Sequence, residues 1–272
     1  MRRRKALLAA LAIPVAATLI GVGAVSAALA ETSTLDGLQA TGRVEASRYS
    51  FWYGQVNRDG ICALISGCTS ASGADGNWVF QVAIDTAAGV QTMPVTVATV
   101  EQTVFASARY RLAFTSVVGN LNGDVVLALK QVGKSTDVTV RLEKMVASGF
   151  ATDAIPQFQQ HLQPYLTSRL GILSRERIEA GTDVMLRVRP GARAVATVTV
   201  TGASLSARKP VATGVLRLLV NDKPVCIARV SKSKATCRFA APAKGARIQA
   251  VVTGSFNNGY EIWNSAAGKY RP

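Results

Sequence analysis

Val184-Met185-Leu186-Arg187-Val188-Arg189, then Ala194-Val195-Ala196-Thr197-Val198-Thr199-Val200-Thr201-Gly202, then Gly214-Val215-Leu216-Arg217-Leu218-Leu219-Val220, is the stretch that decides the fold of this 272-residue chain. In the first run Val184, Leu186 and Val188 fall on one side and Met185, Arg187 and Arg189 on the other, the period of two of a half-buried strand. The third run ends at Asn221-Asp222, a turn pair, and further apolar runs follow at 225–230, 235–239 and 247–254. Short strands at this spacing, separated by Gly, Pro, Asn and Ser, predict a β-sandwich.

Four cysteines permit three pairings. They come as two close pairs, Cys62 with Cys68 and Cys226 with Cys237, which favours two local disulfides over a metal site in an exported chain. Around Ser231-Lys232-Ser233-Lys234, Cys226, Ala228 and Val230 share a face, as do Ala235, Cys237 and Phe239. Folding that segment as a hairpin sets Cys226 and Cys237 opposite or nearly opposite one another.

The segment Ala212-Thr213-Gly214-Val215 through Asn221-Asp222, the cysteine hairpin, Gly245-Ala246-Arg247-Ile248 through Gly254-Ser255-Phe256, and Asn264-Ser265 together resemble a bacterial Ig-like repeat domain. In that family a P-T-G-x-V strand leads to an N-G turn, and a later G-x-h-x-h-x-A-x-Y-x-G-D segment runs into a closing strand. The resemblance covers roughly residues 175–272. It departs from the family at Val252 for Tyr, Ser255 for Asp and Asp222 for Gly, which puts a cation site near that missing Asp in doubt. The resemblance implies an Ig-like sandwich serving as a spacer or adhesive module on an exported bacterial protein, and a fold by itself assigns no ligand.

Charge is concentrated in that part of the chain. The whole sequence has 31 Lys plus Arg and 16 Asp plus Glu. Residues 31–180 hold 12 basic and 13 acidic groups, whereas residues 181–272 hold 15 basic and three acidic, Asp183, Asp222 and Glu261. Such a shift marks a domain boundary near 175–182. Arg187, Arg189, Arg217, Arg229, Arg238 and Arg247 each alternate with apolar neighbours, and Lys232 and Lys234 sit at a hairpin tip, which predicts a basic outward face for an anionic wall polymer or surface glycan. General solubility is the competing use of such charge. No nucleic-acid-binding motif is present.

Before this region, Arg2, Arg3, Arg4 and Lys5 precede an uncharged run over 6–30 that ends in Ala28-Leu29-Ala30. This predicts a secretory signal peptide over 1–30. The run is also long enough for an uncleaved membrane anchor, and either reading places the rest outside the cell or at its wall. No cysteine near residue 30 suits a lipoprotein anchor.

Residues 31–174 read as a second β-rich domain, of no recognised family, with candidate strands at 42–54, 78–85, 95–100, 103–118, 125–130 and 137–146. Asn122-Gly123-Asp124 reads as a hairpin turn. Its every-other-residue oxygen spacing from Asn120 lacks the Glu of a calcium loop, since Gln131 stands at the twelfth position. Ile155, Phe158, Leu162, Leu166 and Leu170 recur at helical spacing, so 153–173 is the one helix expected, with Pro164 as a kink and His161 on its polar side.

Tyr49-Ser50-Phe51-Trp52-Tyr53 reads as a strand, with Tyr49, Phe51 and Tyr53 on one face and Trp52 on the other. The segment 57–68, stapled by Cys62 and Cys68, exposes Leu64 and Ile65, so Trp52, Leu64 and Ile65 are the candidates for contact with a protein partner or inhibited enzyme. The bland alternatives are core packing and a braced edge hairpin.

A lone histidine without a G-x-S-x-G neighbour gives no hydrolase triad. Glu45, Asp59, Asp75, Asp85, Glu101 and Asp124 are too scattered to define a glycosidase pair. Ser231 to Lys234 matches S-x-x-K, but without its companion motifs. The sequence therefore predicts an all-β protein of two β-sandwich-like domains, the second Ig-like, with one short helical segment. It predicts a secreted or surface-bound, non-enzymatic adhesion protein without metal or cofactor. A secreted inhibitor acting through 57–68, or a hydrolase with an Ig-like retention module, is the alternative.

Overall fold

A computed structural model describes residues 33–86, 89–116, 119–149, 154–179, 182–202, 210–257 and 261–272. The export signal expected over 1–30 lies outside them. The fold is all-β, with sandwich-like antiparallel sheets of eight, three and four strands. Among the described residues there are three helices rather than the one expected. Two compact units divide the chain: one takes residues up to 43, 55–130 and 137–170, the other 44–54, 131–136 and 171–272. Sequence continuity alone would not reveal this, because 44–54 and 131–136 group with the C-terminal residues.

The first unit is built on strands β1 (Ser33–Thr34), β2 (Gln39–Val44), β3 (Cys68–Ala74), β4 (Asn77–Thr86), β5 (Gly89–Thr103), β6 (Ser107–Ser116), β7 (Gly119–Val132) and β8 (Ser135–Ser148). Their order is β1-β8-β7-β6-β5-β4-β3, with β2 also paired to β8. Alternate residues point inward, as Phe80 and Val82 of β4, Met93, Val95 and Val97 of β5, and Tyr110 and Phe114 of β6 do, so one face of the sheet is buried. The Trp78 ring lies 5.7 Å from that of Tyr110. Helix α3 (Ala154–Glu179) contains Pro164 and extends beyond the expected 153–173. Its Gln163 completes the edge of β2: the side-chain amide donates to Thr41 O at 2.7 Å and accepts from Thr41 N at 2.8 Å.

The turn expected at Asn122-Gly123-Asp124 is instead mid-strand in β7, where Gly123 faces Leu112 and Asp124 faces Arg111. The glycine is there because of close approach: a Cβ at Gly123 would stand 2.5 Å from Met145 Cα. Asp124 is buried and accepts from Arg111 Nε at 3.0 Å and from Arg109 Nη1 at 3.3 Å, which also excludes the calcium-loop geometry. The hydrogen bond from Arg111 holds its carboxyl below the ordinary value, as Arg109 does for Glu143 and Arg43 for Asp137. A depressed folded-state pKa means stability that is present above the unfolded pKa and lost as pH falls through the folded one. The first unit should therefore hold its thermal midpoint down to about pH 5 and lose it below about pH 4. Asp124→Asn should flatten that acid limb in circular-dichroism melts; an unchanged limb would contradict the assignment.

Two further corrections fall in this part of the chain. Residues expected as a strand form α1 (Arg48–Gln55). Ser47 opens it, its Oγ accepting from Ser50 N at 3.2 Å and its carbonyl from Phe51 N at 2.9 Å. Residues expected as an exposed loop form α2 (Arg58–Leu64), capped by Asn57, whose side chain accepts from Gly60 N at 2.9 Å. Trp52 is buried, and Leu64 and Ile65 are half-buried rather than protruding. The Leu64 carbonyl accepts from Tyr165 OH at 2.8 Å and the Ala63 carbonyl from Arg169. The Cys62–Cys68 disulfide ties α2 to β3.

The second unit is a sandwich of β9 (Asp183–Arg189), β10 (Arg193–Thr201), β11 (Ala212–Val220), β12 (Lys223–Val230), β13 (Lys234–Ala240), β14 (Arg247–Phe256) and β15 (Glu261–Lys269). One sheet runs β13-β10-β9 and the other β12-β11-β14-β15. Val198 and Val200 from one sheet and Leu216, Leu218, Ile248 and Val252 from the other belong to a single core. Asn221 and Asp222 both take positive φ, as a two-residue hairpin turn demands. The expected hairpin around Ser231–Lys234 is a crossing between the two sheets, with only a Ser231–Lys234 bridge between its arms. The Cys226–Cys237 disulfide therefore joins the sheets, with its Cα atoms 6.1 Å apart.

Candidate anion-binding face

The outward face of the three-stranded sheet gathers much of the predicted basic set. β10 is the central strand, and its outward residues Arg193, Val195, Thr197, Thr199 and Thr201 alternate with buried Ala194, Ala196, Val198 and Val200. Val195 lies in register with Arg189 of β9 on one side and Arg238 of β13 on the other. One step along, Thr197 lies between Arg187 and Thr236; one step further, Thr199 lies between Met185 and Lys234. Arg187, Arg189, Arg238 and Lys234 are exposed, while Thr197 and Thr199 are half-buried between them. The one carboxylate on these strands, Asp183, sits at the end in register with Thr201.

Lys232 is exposed on the adjoining turn, where Lys232 and Ser233 adopt left-handed backbone. Ser233 fixes that turn. It donates from its backbone N to Ala212 O at 3.0 Å, and accepts from Ala212 N on its Oγ at 2.8 Å and from Val200 N on its carbonyl at 2.9 Å. Arg193 also belongs to the face, and the alternation reading passed over it by starting the strand at Ala194. It stands two residues before Val195 and on the same side.

Arg217, Arg229 and Arg247 belong to the other sheet and do not join this face. Arg229 is exposed on β12 beside Val215. Arg217 stacks 4.7 Å above the Tyr53 ring and Arg247 5.1 Å above the Tyr49 ring. These tyrosines are one helical turn apart on α1, within the same unit, and they explain why Gln249 and Val251 are buried on what would otherwise be an outer sheet face. Tyr49 OH donates to Asp222 at 2.6 Å, and Arg48 bridges the same carboxylate at 3.3 Å. Burial raises the Tyr49 hydroxyl pKa, with the hydrogen bond to Asp222 adding to it. Arg217 and Arg247 thus hold a helix to the sheet, and Asp222 is already occupied.

The two units treat charge differently. Arg43, Arg58, Arg109, Arg111 and Arg141 of the first unit all pair with carboxylates. In the second unit, among the described residues, Arg48–Asp222 alone forms such a pair. No group of residues suited to a metal ion occurs among the described residues, and no described helix is long and apolar enough to cross a membrane.

Comparison with known proteins places this geometry in no family: no family model matches, and no curated protein does. Solved structures are similar at low identity. A conserved protein from Geobacillus kaustophilus is 11% identical over 51% of this chain and 91% of its own, with a TM-score of 0.41. Protein CV1439 from Chromobacterium violaceum is 16% identical over 52% and 98%, at 0.36. The di-domain ARO/CYC StfQ of the steffimycin biosynthetic pathway is 13% identical over 86% and 85%, at 0.35. None of these bears on what this chain binds or does.

Proposed function

We propose that this is an exported, non-enzymatic binding protein that docks on an anionic polymer of the cell wall or surface through the three-stranded face of its second unit. One observation carries the reading: Arg187, Arg189, Arg193, Arg238 and Lys234 share one sheet face and form no ion pairs among the described residues, in a molecule whose first unit pairs five arginines with carboxylates. Such a face attracts polyanions by releasing their counterions. Two disulfides suit an oxidising, extracellular setting. Less supports the inhibitor alternative, since 58–64 is helical, Leu64 and Ile65 are half-buried, and the Ala63 and Leu64 carbonyls are engaged.

The test is retention of the mature protein on purified cell wall, with and without its anionic polymers, across a salt series. Binding should vanish with the polymer, and log Kd should rise with log salt at a slope of roughly 3. Retention that survives polymer removal, or that ignores salt, would contradict the proposal.

A further inference from the structure

We infer that the occupant of this face is a single extended phosphodiester-linked polyol chain lying along β10. The inference rests on the anion-docking reading above and adds its direction and chemistry.

The basic residues outline a trough rather than an even field. Arg189 and Arg187 form one rim on β9, and Arg238 and Lys234 form the other on β13. With strands about 4.8 Å apart the rims are separated by about 10 Å, the room for one polymer chain. The floor is Val195, Thr197 and Thr199, with Thr236 beside Thr197. β10 spans about 27 Å from Arg193 to Thr201, and the two rims flank it over about 14 Å of that, from Val195 to Thr199.

Two features select the chain. Arg189 and Arg238 stand in register on opposite sides of the central strand, so an anion above Val195 is approached from both sides. A phosphodiester presents a free oxygen to each side of its chain, whereas a carboxylate on a sugar ring presents both to one side; a single guanidinium binds either group, but two that approach from opposite sides match the former. The threonine hydroxyls can donate to phosphate oxygens, as the cations do, and can also accept from polyol hydroxyls, which Arg and Lys cannot do.

The same strands argue against other polyanions. Their outward positions carry no aromatic ring on which single-stranded nucleic acid would stack. Met185 is their one large exposed apolar side chain, too little to anchor the face in a membrane.

The test titrates the mature protein with poly(glycerol phosphate) chains of about 3 and about 20 repeats, with polygalacturonate, with oligothymidylate and with phosphatidylglycerol vesicles at one salt concentration. The long poly(glycerol phosphate) should bind most tightly per charge and the short piece at least about tenfold more weakly. Thr197→Val/Thr199→Val/Thr236→Val should weaken binding about tenfold without altering the salt slope, because no charge is removed. The matching serine variant should restore it, separating lost hydroxyls from a misfolded sheet. Equal or tighter binding per charge to vesicles, oligothymidylate or polygalacturonate would overturn the inference, as would a valine variant that binds like the parent chain. Failure of arginine removal to weaken binding would instead overturn the docking reading itself.

Discussion

Replacing Cys226 and Cys237 together by alanine is expected to destabilise the second unit by about 3 kcal/mol, the chain-entropy value for closing a loop of this length. The bond does more than brace one ribbon. Cys226 lies on β12 of the four-stranded sheet and Cys237 on β13 of the three-stranded sheet, and no ladder joins those strands beyond the Ser231–Lys234 bridge. Cys237 is also a core residue, packed with Ala196, Val230 and Phe239, so alanine there adds a packing loss. For a unit of this size the loss corresponds to a thermal midpoint lower by roughly 15 °C. Melts of the full chain check it: a shift under about 4 °C, equivalent to less than 1 kcal/mol, would mean that the sheets hold together without the bridge.

The legible part of this protein is its second unit. Alternation reads well where one face of each strand is buried and the other is wet, as on β9, β10 and β13, and it puts Arg187, Arg189 and Arg238 on the outward side; Lys234, read as part of a hairpin tip, instead opens β13. It could not say to which sheet a strand belongs. Arg217, Arg229 and Arg247 show the same alternation but lie on the opposite sheet, and two of them are engaged by aromatic rings from a segment more than 160 residues away. The turn read at Ser231–Lys234 is present and closed by its bridge, but its arms part into different sheets, because a short turn can cross between sheets as well as close one.

In the rest of the chain, local preference misled where tertiary demands decided. Tyr49 to Tyr53 is aromatic and favours strands by composition, yet a serine cap starts a helix and the i, i+4 spacing of Tyr49 and Tyr53 serves Arg247 and Arg217. That spacing was visible in the sequence and was the missed signal. Asn122-Gly123-Asp124 has turn chemistry, but the glycine serves a close approach to β8 and the aspartate a buried ion pair. The cap at Asn57, followed by Asp59 in the first turn, was likewise a readable helix start.

The largest binding effect is expected from Arg187→Gln/Arg189→Gln/Arg238→Gln. These residues rim one trough, they are exposed, and they form no ion pair among the described residues, so neutralising them removes charge without orphaning a carboxylate. With each charge-assisted contact worth about tenfold or more, the triple variant should bind polymer at least about a hundredfold more weakly. Its salt slope should fall by about 2. The most direct measurement compares it with a charge-matched variant on the other sheet, Lys223→Gln/Arg229→Gln/Lys269→Gln, whose side chains are exposed on β12 and β15. Both lose three positive charges. If the three-stranded face is the docking surface, wall-polymer affinity collapses in the first variant and stays within about threefold of the parent chain in the second. Equal losses in the two would show that net charge alone attracts the polymer and would contradict a defined site.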